Sequence, residues 1–345
     1  MIIFKNLSYK IKIDEIRYSG SDSALGNQFD NLRGFSEARH FEDELAEKFM
    51  IMERLGSLSS ADIFDHESCP ICGGVKKPKF LFDKSGYKHW RCSLCEAIFV
   101  APSLSQSFIL NNVYNDQAYP FLDAVNSDVQ RPLDTLRFQD LLPVLLDRRK
   151  SIRRILDLGC GGGLFLSVCK AAGLSAFGVD CLSAAVNYGK KNFNVDIHYD
   201  DVFNFLTSTS EKYDAITAFE LLDHIVEPNN LIKLIKQRLS PGGVLILTVR
   251  NSRSLAAEVM QKQCPMFLGY AHLNFWSPDS IIKMAIKYNF DLEFMYSFVS
   301  YKSRVIEYLR GNSASETSIQ EIGSSSEIIG NLKGYKLTAV LHSRD

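Results

Sequence analysis

Downstream of about residue 150, short apolar runs alternate with longer segments in which apolar residues recur at helical spacing. This alternation is typical of a parallel sheet wrapped by helices. The runs "ILDL" and "VLILTV" are apolar on both faces, which suits central strands. The pattern predicts strands, with helices between them, at residues 153–159, 175–180, 195–200, 213–219 and 243–249. We therefore predict an α/β fold built on a doubly wound, mostly parallel sheet.

The two ends of the chain carry further patterns. Residues 290–300 and 335–343 read as two more strands, antiparallel at one edge of the sheet. The serine-rich stretch between them, residues 311–328, is predicted to be a mobile surface insertion. Residues 41–55 have the periodicity of one amphipathic helix. The role of residues 1–60 is left open.

Composition sets the broad class of protein. The chain has 345 residues, of which 46% are hydrophobic and 23% charged, as in a globular protein with a large core and at least two domains. A formal net charge of -1 argues against a generally basic nucleic-acid binder. The first residues lack the features of a secretory signal, and no apolar run reaches the roughly 18 residues of a membrane span. We predict a cytoplasmic location.

Four of the eight cysteines are spaced as metal ligands. They form two C-x-x-C pairs with nineteen residues between them: Cys69, Cys72, Cys92 and Cys95. Two such pairs build a tetrahedral four-sulfur zinc site. Because four thiolates leave no coordination position open, we predict a structural zinc that contributes on the order of 10 kcal/mol to folding of a small ribbon. The alternatives are four free thiols, or a redox pair, although neither pair opens a helix after a buried strand.

A glycine-rich turn follows the first predicted strand of the sheet. In "LDLGCGGGLFL" the pattern is D-x-G-x-G-x-G, formed by Asp157, Gly159, Gly161 and Gly163. Such a turn lies at the carboxyl edge of a doubly wound sheet, where glycines let the backbone approach a ligand. The dinucleotide pattern G-x-G-x-x-G would need a small residue at position 164, and Leu164 disfavours an NAD-dependent oxidoreductase.

Acidic residues end the next two strands. Asp180 lies twenty-one residues after Gly159, where a carboxylate can accept both ribose hydroxyls of a nucleoside. Asp201 follows the third strand and is placed to accept an adenine amino group. Three features at three successive strand ends predict a nucleoside cofactor more specifically than the glycines alone.

With these motifs the sequence resembles the class I S-adenosylmethionine-dependent methyltransferases over roughly residues 130–300. The matching pieces are "ILDLGCGGG", "GVD", "YDAITAFELLDHIVEP" and "LSPGGVLILTVRN", in the expected order. The resemblance implies a Rossmann-like sheet of seven strands whose last strand is reversed. It implies that the glycines line the methionine moiety, while Asp157 braces the loop. The cofactor-binding residues are predicted to be Asp157, Gly159, Cys160, Gly161, Gly163, Asp180, Cys181, Asp201, Val202 and Phe219.

The implied reaction is an in-line displacement at the sulfonium methyl, for which alignment in a dry pocket is the main requirement. A protonated acceptor also needs a base, and histidine has the pKa nearest neutrality. The segment "FELLDHIVEP" after the fourth strand offers Glu220, Asp223 and His224. We predict His224 as the base. His272 in "GYAHLNFWSP" is a second candidate. The alternative is that these side chains only bond neighbouring backbone.

The four-cysteine ribbon followed by this fold resembles bacterial sugar and natural-product methyltransferases, including sugar C-methyltransferases with an N-terminal zinc domain. In those enzymes a tyrosine-rich segment closes over the substrate, which makes Tyr114 and Tyr119 candidates here. The implied acceptor is a small molecule, sugar or glycan methylated on oxygen or carbon. The implied division is a ribbon, a helical linker or lid, and a methyltransferase domain, at residues 61–105, 106–150 and 151–345.

Two other functions stay open. Some ribosomal RNA guanine methyltransferases also join a cysteine zinc module to this fold, and residues 145–154 form a basic run, with cations at Arg148, Arg149, Lys150, Arg153 and Arg154. A solvated helix end explains that run without a nucleic-acid partner, and a phosphate-binding surface needs more such charge. The second alternative is a non-catalytic scaffold with a vestigial cofactor pocket. The acceptor, the methylated atom and the oligomeric state are not predicted.

Overall fold

The computed structural model describes residues 58–114, 130–148 and 151–344. The predicted helix at 41–55 and Tyr119 lie outside these ranges. The strands are β1 (Ile63–Phe64), β2 (Lys79–Lys84), β3 (Tyr87–Arg91), β4 (Ile98–Val100), β5 (Ser103–Leu104), β6 (Arg154–Leu158), β7 (Ser175–Asp180), β8 (Asp196–Tyr199), β9 (Tyr213–Phe219), β10 (Leu239–Arg250), β11 (Asn274–Phe275), β12 (Phe290–Phe298) and β13 (Lys336–Ser343). The α-helices are α1 (Gln106–Asn112), α2 (Gln130–Arg148), α3 (Leu164–Ala171), α4 (Ser183–Phe193), α5 (Val202–Ser208), α6 (Pro228–Arg238), α7 (Leu255–Met260), α8 (Pro278–Lys287), α9 (Lys302–Gly311), α10 (Glu316–Gln320) and α11 (Ser325–Gly330).

A seven-stranded sheet dominates the described residues. Its order is β12-β13-β10-β9-β6-β7-β8. The five strands from β6 to β10 all run parallel to one another. Strand β13 runs antiparallel to both of its neighbours, β10 and β12. The predicted doubly wound α/β fold with a reversed last strand is confirmed. Strands β7 and β8 lie on one side of β6, whereas β9 and β10 lie on the other, so the strand order switches between β6 and β9. The carboxyl ends of the strands at such a topological switch point form a ligand crevice.

Helix α2 packs onto the sheet although its residues were predicted to form a linker or lid. Its Phe138 and Leu141 share a buried apolar cluster with Ile155 of β6 and Phe165 of α3. Burial of these side chains stabilises the fold by roughly 25 cal/mol for each Å² of apolar surface removed from water. The helix is therefore part of the core beside the glycine turn.

The cysteine-containing region forms a second, smaller sheet, of order β11-β4-β3-β2. Strands β2, β3 and β4 come from the predicted ribbon, but β11 comes from the segment after β10. Asn274 and Phe275 of β11 pair with Phe99 and Ile98 of β4. The ribbon is thus joined to the large domain through a shared sheet. The sequence does not reveal this pairing, because β4 and β11 are more than 170 residues apart.

The serine-rich stretch differs from the predicted mobile insertion because it folds into α10 and α11. Ser315 and Ser324 cap these helices, accepting hydrogen bonds from the backbone amides of Ser318 and Glu327. Serines that resemble turn formers in a sequence also serve as N-caps. In the described part of the chain, no helix combines the length and apolarity required to cross a membrane.

Candidate cofactor and acceptor site

The three predicted loop glycines have left-handed backbone angles, with φ of 64° at Gly159, 53° at Gly161 and 75° at Gly163. Their surroundings differ. A Cβ at Gly163 would lie 2.7 Å from a methyl of Val195, and one at Gly159 would lie 3.0 Å from Leu221. At Gly161 a Cβ would meet nothing within 4 Å. Gly163 therefore permits packing, whereas Gly161 borders open space at the sheet edge.

Asp157 lies under this turn rather than in the crevice. Its side chain is buried, and its Oδ1 accepts a hydrogen bond of 2.5 Å from the Thr217 hydroxyl on β9. Burial raises the pKa of Asp157 to about 7, although the Thr217 hydrogen bond opposes the shift. The carboxyl group thus links β6 to β9 beneath the glycines.

Asp180 joins the glycine turn to the end of β7. Its Oδ2 accepts from the amide of Gly161 at 2.7 Å, and its Oδ1 accepts from the amide of Leu182 at 2.9 Å. A carboxylate has about four lone-pair positions, so two remain for a ligand. Burial raises the pKa of Asp180, and the two amide hydrogen bonds oppose that effect.

The other predicted cofactor residues lie around the same edge. Asp201 caps α5, its Oδ1 accepting from the amides of Phe203 and Asn204, and Val202 is buried behind it. Cys160 and Cys181 are partly exposed in the loops after β6 and β7. Phe219 packs with Phe138 and Phe165 at ring-centroid distances of 5.0 Å. It therefore faces α2 and α3.

His224 ends a 3-10 turn, Leu222–His224, after β9. Its Nδ1 lies 2.9 Å from the carbonyl oxygen of Ala271 and 2.5 Å from the hydroxyl of Tyr114. We assign the proton to Nδ1, because the Ala271 carbonyl can only accept and the Tyr114 oxygen can accept from the same N–H. In this tautomer Nε2 keeps the lone pair. Burial, helped by the Arg250 cation, lowers the pKa of His224 to about 3. The ring is therefore neutral at physiological pH.

His272 lies beside His224. The two sequence motifs had offered these histidines only as separate candidates. The ring centroids are 4.8 Å apart. Its Nδ1 is 3.0 Å from the carbonyl oxygen of Met266, so the same argument gives it a free Nε2. Burial lowers the pKa of His272 well below its ordinary value. Two neutral imidazoles thus meet in one wall.

Asp223, one of the candidate catalytic residues, lies in a buried ion pair. It is 0% exposed, and its carboxylate accepts from the backbone amide of Arg250 at 3.1 Å and from the guanidinium Nη1 at 2.8 Å. Burial raises the pKa of Asp223 to about 6 against the effect of Arg250. The side chain offers no accessible surface to an acceptor.

Glu220 has a left-handed backbone angle, φ 56°, and ion pairs with Lys336 of β13 at 2.5 Å and Arg137 of α2 at 3.5 Å. Burial alone raises its pKa, but these cations and Arg250 hold the pKa well below its ordinary value. Sequence reasoning missed all three cations because they lie on separate elements. The signal that these cations share in the sequence is a basic residue at the end of an apolar strand or among the apolar residues of a helix.

The four predicted zinc ligands meet in one cluster, with their sulfur atoms within 4.8 Å of one another. The Cys69 and Cys95 sulfurs are 3.8 Å apart, and those of Cys72 and Cys92 are 3.7 Å apart. A tetrahedron with zinc–sulfur bonds of about 2.3 Å has edges of about 3.8 Å. The donor set therefore fits zinc in both chemistry and spacing.

The predicted basic run is partly neutralised. Arg154 pairs with Glu211 at 2.6 Å and lies over the Tyr213 ring. The backbone amides of Arg153 and Arg154 both donate to Asp214. Arg149 and Lys150 lie outside the described residues.

Comparison with known proteins identifies a domain within the chain. Residues 128–293 match the family model described as "Methyltransferase domain". The chain is 31% identical over 117 residues to a ubiquinone biosynthesis O-methyltransferase of Haemophilus ducreyi, covering 31% of this chain and 49% of that protein. It is 31% identical over 104 residues to the Coxiella burnetii protein of the same name, covering 29% and 44%. The chain thus spans about half the length of the curated relatives it matches.

Solved structures superpose on part of the chain at low identity. A SAM dependent methyltransferase from Archaeoglobus fulgidus superposes with a TM-score of 0.48 and 18% identity, over 66% of this chain and 100% of that one. The magnesium protoporphyrin IX methyltransferase of Synechocystis gives 0.49 and 14%, over 69% and 100%. The strand order and the family match identify the large domain as a Rossmann-like methyltransferase fold.

Proposed function

We propose that this protein is an S-adenosylmethionine-dependent methyltransferase that acts on oxygen or carbon of a small-molecule, sugar or glycan acceptor, with a structural zinc in its ribbon. The observation that carries the proposal is the joint between Gly161 and Asp180. It presents a bare backbone position to open space and holds a carboxylate beside it. The methyltransferase-domain match over residues 128–293 supports the same activity.

The cofactor would lie along the carboxyl edge of β6, β7 and β8. Gly161 would leave room for its methionine portion, while the remaining lone pairs of Asp180 would accept from its ribose hydroxyls. The adenine would end beside Asp201 and Val202, at the start of α5. When bound, the cofactor supplies an electrophilic methyl group on a positively charged sulfur.

The acceptor would approach from the His224 side. The neutral ring holds its proton on Nδ1 through Ala271, so Nε2 would take the proton of an acceptor hydroxyl, or of a carbon next to a carbonyl. The deprotonated acceptor atom would bond the methyl carbon as the bond from that carbon to sulfur breaks and its electron pair stays on sulfur. Tyr114 and His272 flank the His224 ring. We assign Asp223 a positioning role, because Arg250 occupies its carboxylate. Tyr119 stays a candidate lid residue.

The zinc would be held by the four cysteine sulfurs alone. Each pair lies in a tight turn in which the fourth residue after the first cysteine, Gly73 or Glu96, has a left-handed backbone angle, φ 72° and 59°. The closed four-sulfur set gives the metal a structural role.

The test is direct. Purified protein should bind S-adenosylmethionine in calorimetry and contain about one zinc per chain by elemental analysis. It should also transfer labelled methyl into the small-molecule or glycan fraction of a cell extract. Label in RNA instead would favour the nucleic-acid alternative, and cofactor binding without transfer to any fraction would favour the scaffold.

A further inference from the structure

The cysteine cluster is connected to the His224 turn by a continuous path of hydrogen bonds. We infer that the four-cysteine site positions the acceptor wall, formed by His224, His272 and Tyr114, through β4 and β11. The cofactor edge, formed by Gly159, Gly161 and Asp180, stands independently of that site. This inference rests on the proposed function, since it concerns the acceptor half of the same site. Its consequence is that metal binding governs transfer to the acceptor and not affinity for the cofactor.

The first link joins the cluster to the segment after β10. The buried hydroxyl of Ser277 donates to the carbonyl oxygen of Cys95 at 2.5 Å and accepts from the amide of Ser280. Ser252 donates to the carbonyl oxygen of Glu96 at 3.2 Å. Backbone groups of the second cysteine turn are therefore held by the segment that carries β11. Groups that bond to metal-bearing turns commonly orient them.

The second link is the strand pair. Strand β4 begins at Ile98, three residues after Cys95, and pairs with β11. The amide of Val100 donates to the carbonyl oxygen of Leu273 at 2.9 Å. Backbone pairing fixes the position of residues 273–275 relative to the cysteine turn.

The third link reaches the catalytic turn from three atoms of one short segment. The amide of Leu273 donates to the carbonyl oxygen of Asp223 at 2.7 Å, and the side-chain amide of Asn274 donates to the carbonyl oxygen of Ile225 at 2.6 Å. The carbonyl of Ala271 accepts from His224 Nδ1 at 2.9 Å. These bonds hold the turn on both sides of His224 and fix the tautomer of its ring.

The cofactor edge is built from other bonds. The amide of Gly159 donates to the carbonyl oxygen of Val179 at 2.8 Å, and the Asp180 carboxylate accepts from Gly161 and Leu182. These partners all lie within residues 159–182, on the sheet side of the domain. Loosening β11 leaves this set in place.

Two matched serines make the test specific. Ser277 and Ser297 are both buried, and each donates to a backbone carbonyl and accepts from a backbone amide. Ser297 differs in its place, because it lies on β12 and bonds Ile329 and Gly334. We expect S277A to speed hydrogen exchange of the Leu273 and Val100 amides at least tenfold, while the Gly159 amide is unchanged. The control S297A should leave all three amides unchanged.

Metal removal by a chelator should act in the same direction and more strongly. The stripped protein should keep its affinity for S-adenosylmethionine within twofold and lose at least tenfold in methyl transfer. The NMR signal of the His224 Nδ1 proton should broaden or disappear. Zinc added back should restore both the signal and the transfer.

The outcomes separate this inference from the function beneath it. Unchanged exchange at Leu273 after chelation, or equal acceleration at Gly159, would overturn the inference. So would loss of cofactor binding on chelation, or a protein that takes up no zinc. If the zinc-loaded protein fails to bind S-adenosylmethionine, the proposed function is wrong, and the exchange comparison still decides whether the cysteine site holds the His224 turn.

Discussion

The two halves of the candidate site differ in how far apart their residues lie in the sequence. The cofactor edge takes Gly159, Gly161 and Asp180 from one turn and the end of the adjacent strand β7. The acceptor wall brings His224 together with Tyr114, 110 residues before it, and Ala271, 47 residues after it. A local motif suffices to build the first half. The second half exists only after the ribbon, the end of β9 and β11 have packed together.

Two buried aspartates show the chemical side of this difference. Asp180 accepts two backbone amides and keeps room for ligand hydroxyls, whereas Asp223 accepts a backbone amide and also pairs with the guanidinium of Arg250. Removing one partner of a buried ion pair leaves an uncompensated charge. The first aspartate is thus suited to binding, and the second to holding the turn that carries His224.

The largest expected effect is on the acceptor half. H224Q removes a nitrogen lone pair that can take a proton, and general-base catalysis is typically worth about 10²–10⁴-fold in rate. We expect turnover to fall about a thousandfold in a steady-state methyl-transfer assay, with cofactor affinity unchanged within twofold. The control H342Q lies on β13, where His342 pairs with Val244, six residues before Arg250 on β10, and should retain full turnover. Equal turnover in H224Q would assign the base role elsewhere.

The next effect is on the cofactor half. D180A removes the acceptor for the amides of Gly161 and Leu182 and for the ribose hydroxyls. Hydrogen bonds to charged groups are worth about 1.5–3 kcal/mol each, so loss of two should weaken cofactor binding about a hundredfold or more. Calorimetry measures this directly. D196A changes an exposed carboxylate on the neighbouring strand and should bind normally, and retained affinity in D180A would contradict our placement of the ribose.

The fold was predictable because strand patterns are local, and a short, local glycine motif located the candidate cofactor edge. Strands β7 and β9 begin and end as their apolar runs predict. The sequence did not predict β11, because a two-residue strand has no periodicity of its own. It also did not predict the ion pair of Asp223, since its partner Arg250 comes from the end of another strand.

The glycine turn allows a finer comparison within the cofactor half. In G163A the new methyl group would lie within 2.7 Å of Val195 and 2.9 Å of Ile197, whereas in G161A it would meet nothing within 4 Å. Both variants bear the left-handed penalty of about 1–2 kcal/mol, and overpacking adds about 1–3 kcal/mol to the first. Urea unfolding should show G163A less stable than G161A by about 2 kcal/mol. Cofactor affinity should fall more in G161A, and the reverse order would mean that the open space is not the cofactor site.

The smallest expected effect is an absence of titration at His224. Burial lowers its pKa from 6.5 to about 3 in the folded protein, so the ring stays neutral from pH 5 to 8. The unfolded chain binds the proton near pH 6.5 and the folded chain does not, so this ring lowers the free energy of unfolding as pH falls from about 6.5 toward 3. NMR of ring-labelled histidine, with H224Q for assignment, should show a constant His224 shift over pH 5–8. The same ring should titrate near 6.5 in urea, and titration near 6.5 in the folded protein would mean that the acceptor wall is open to water.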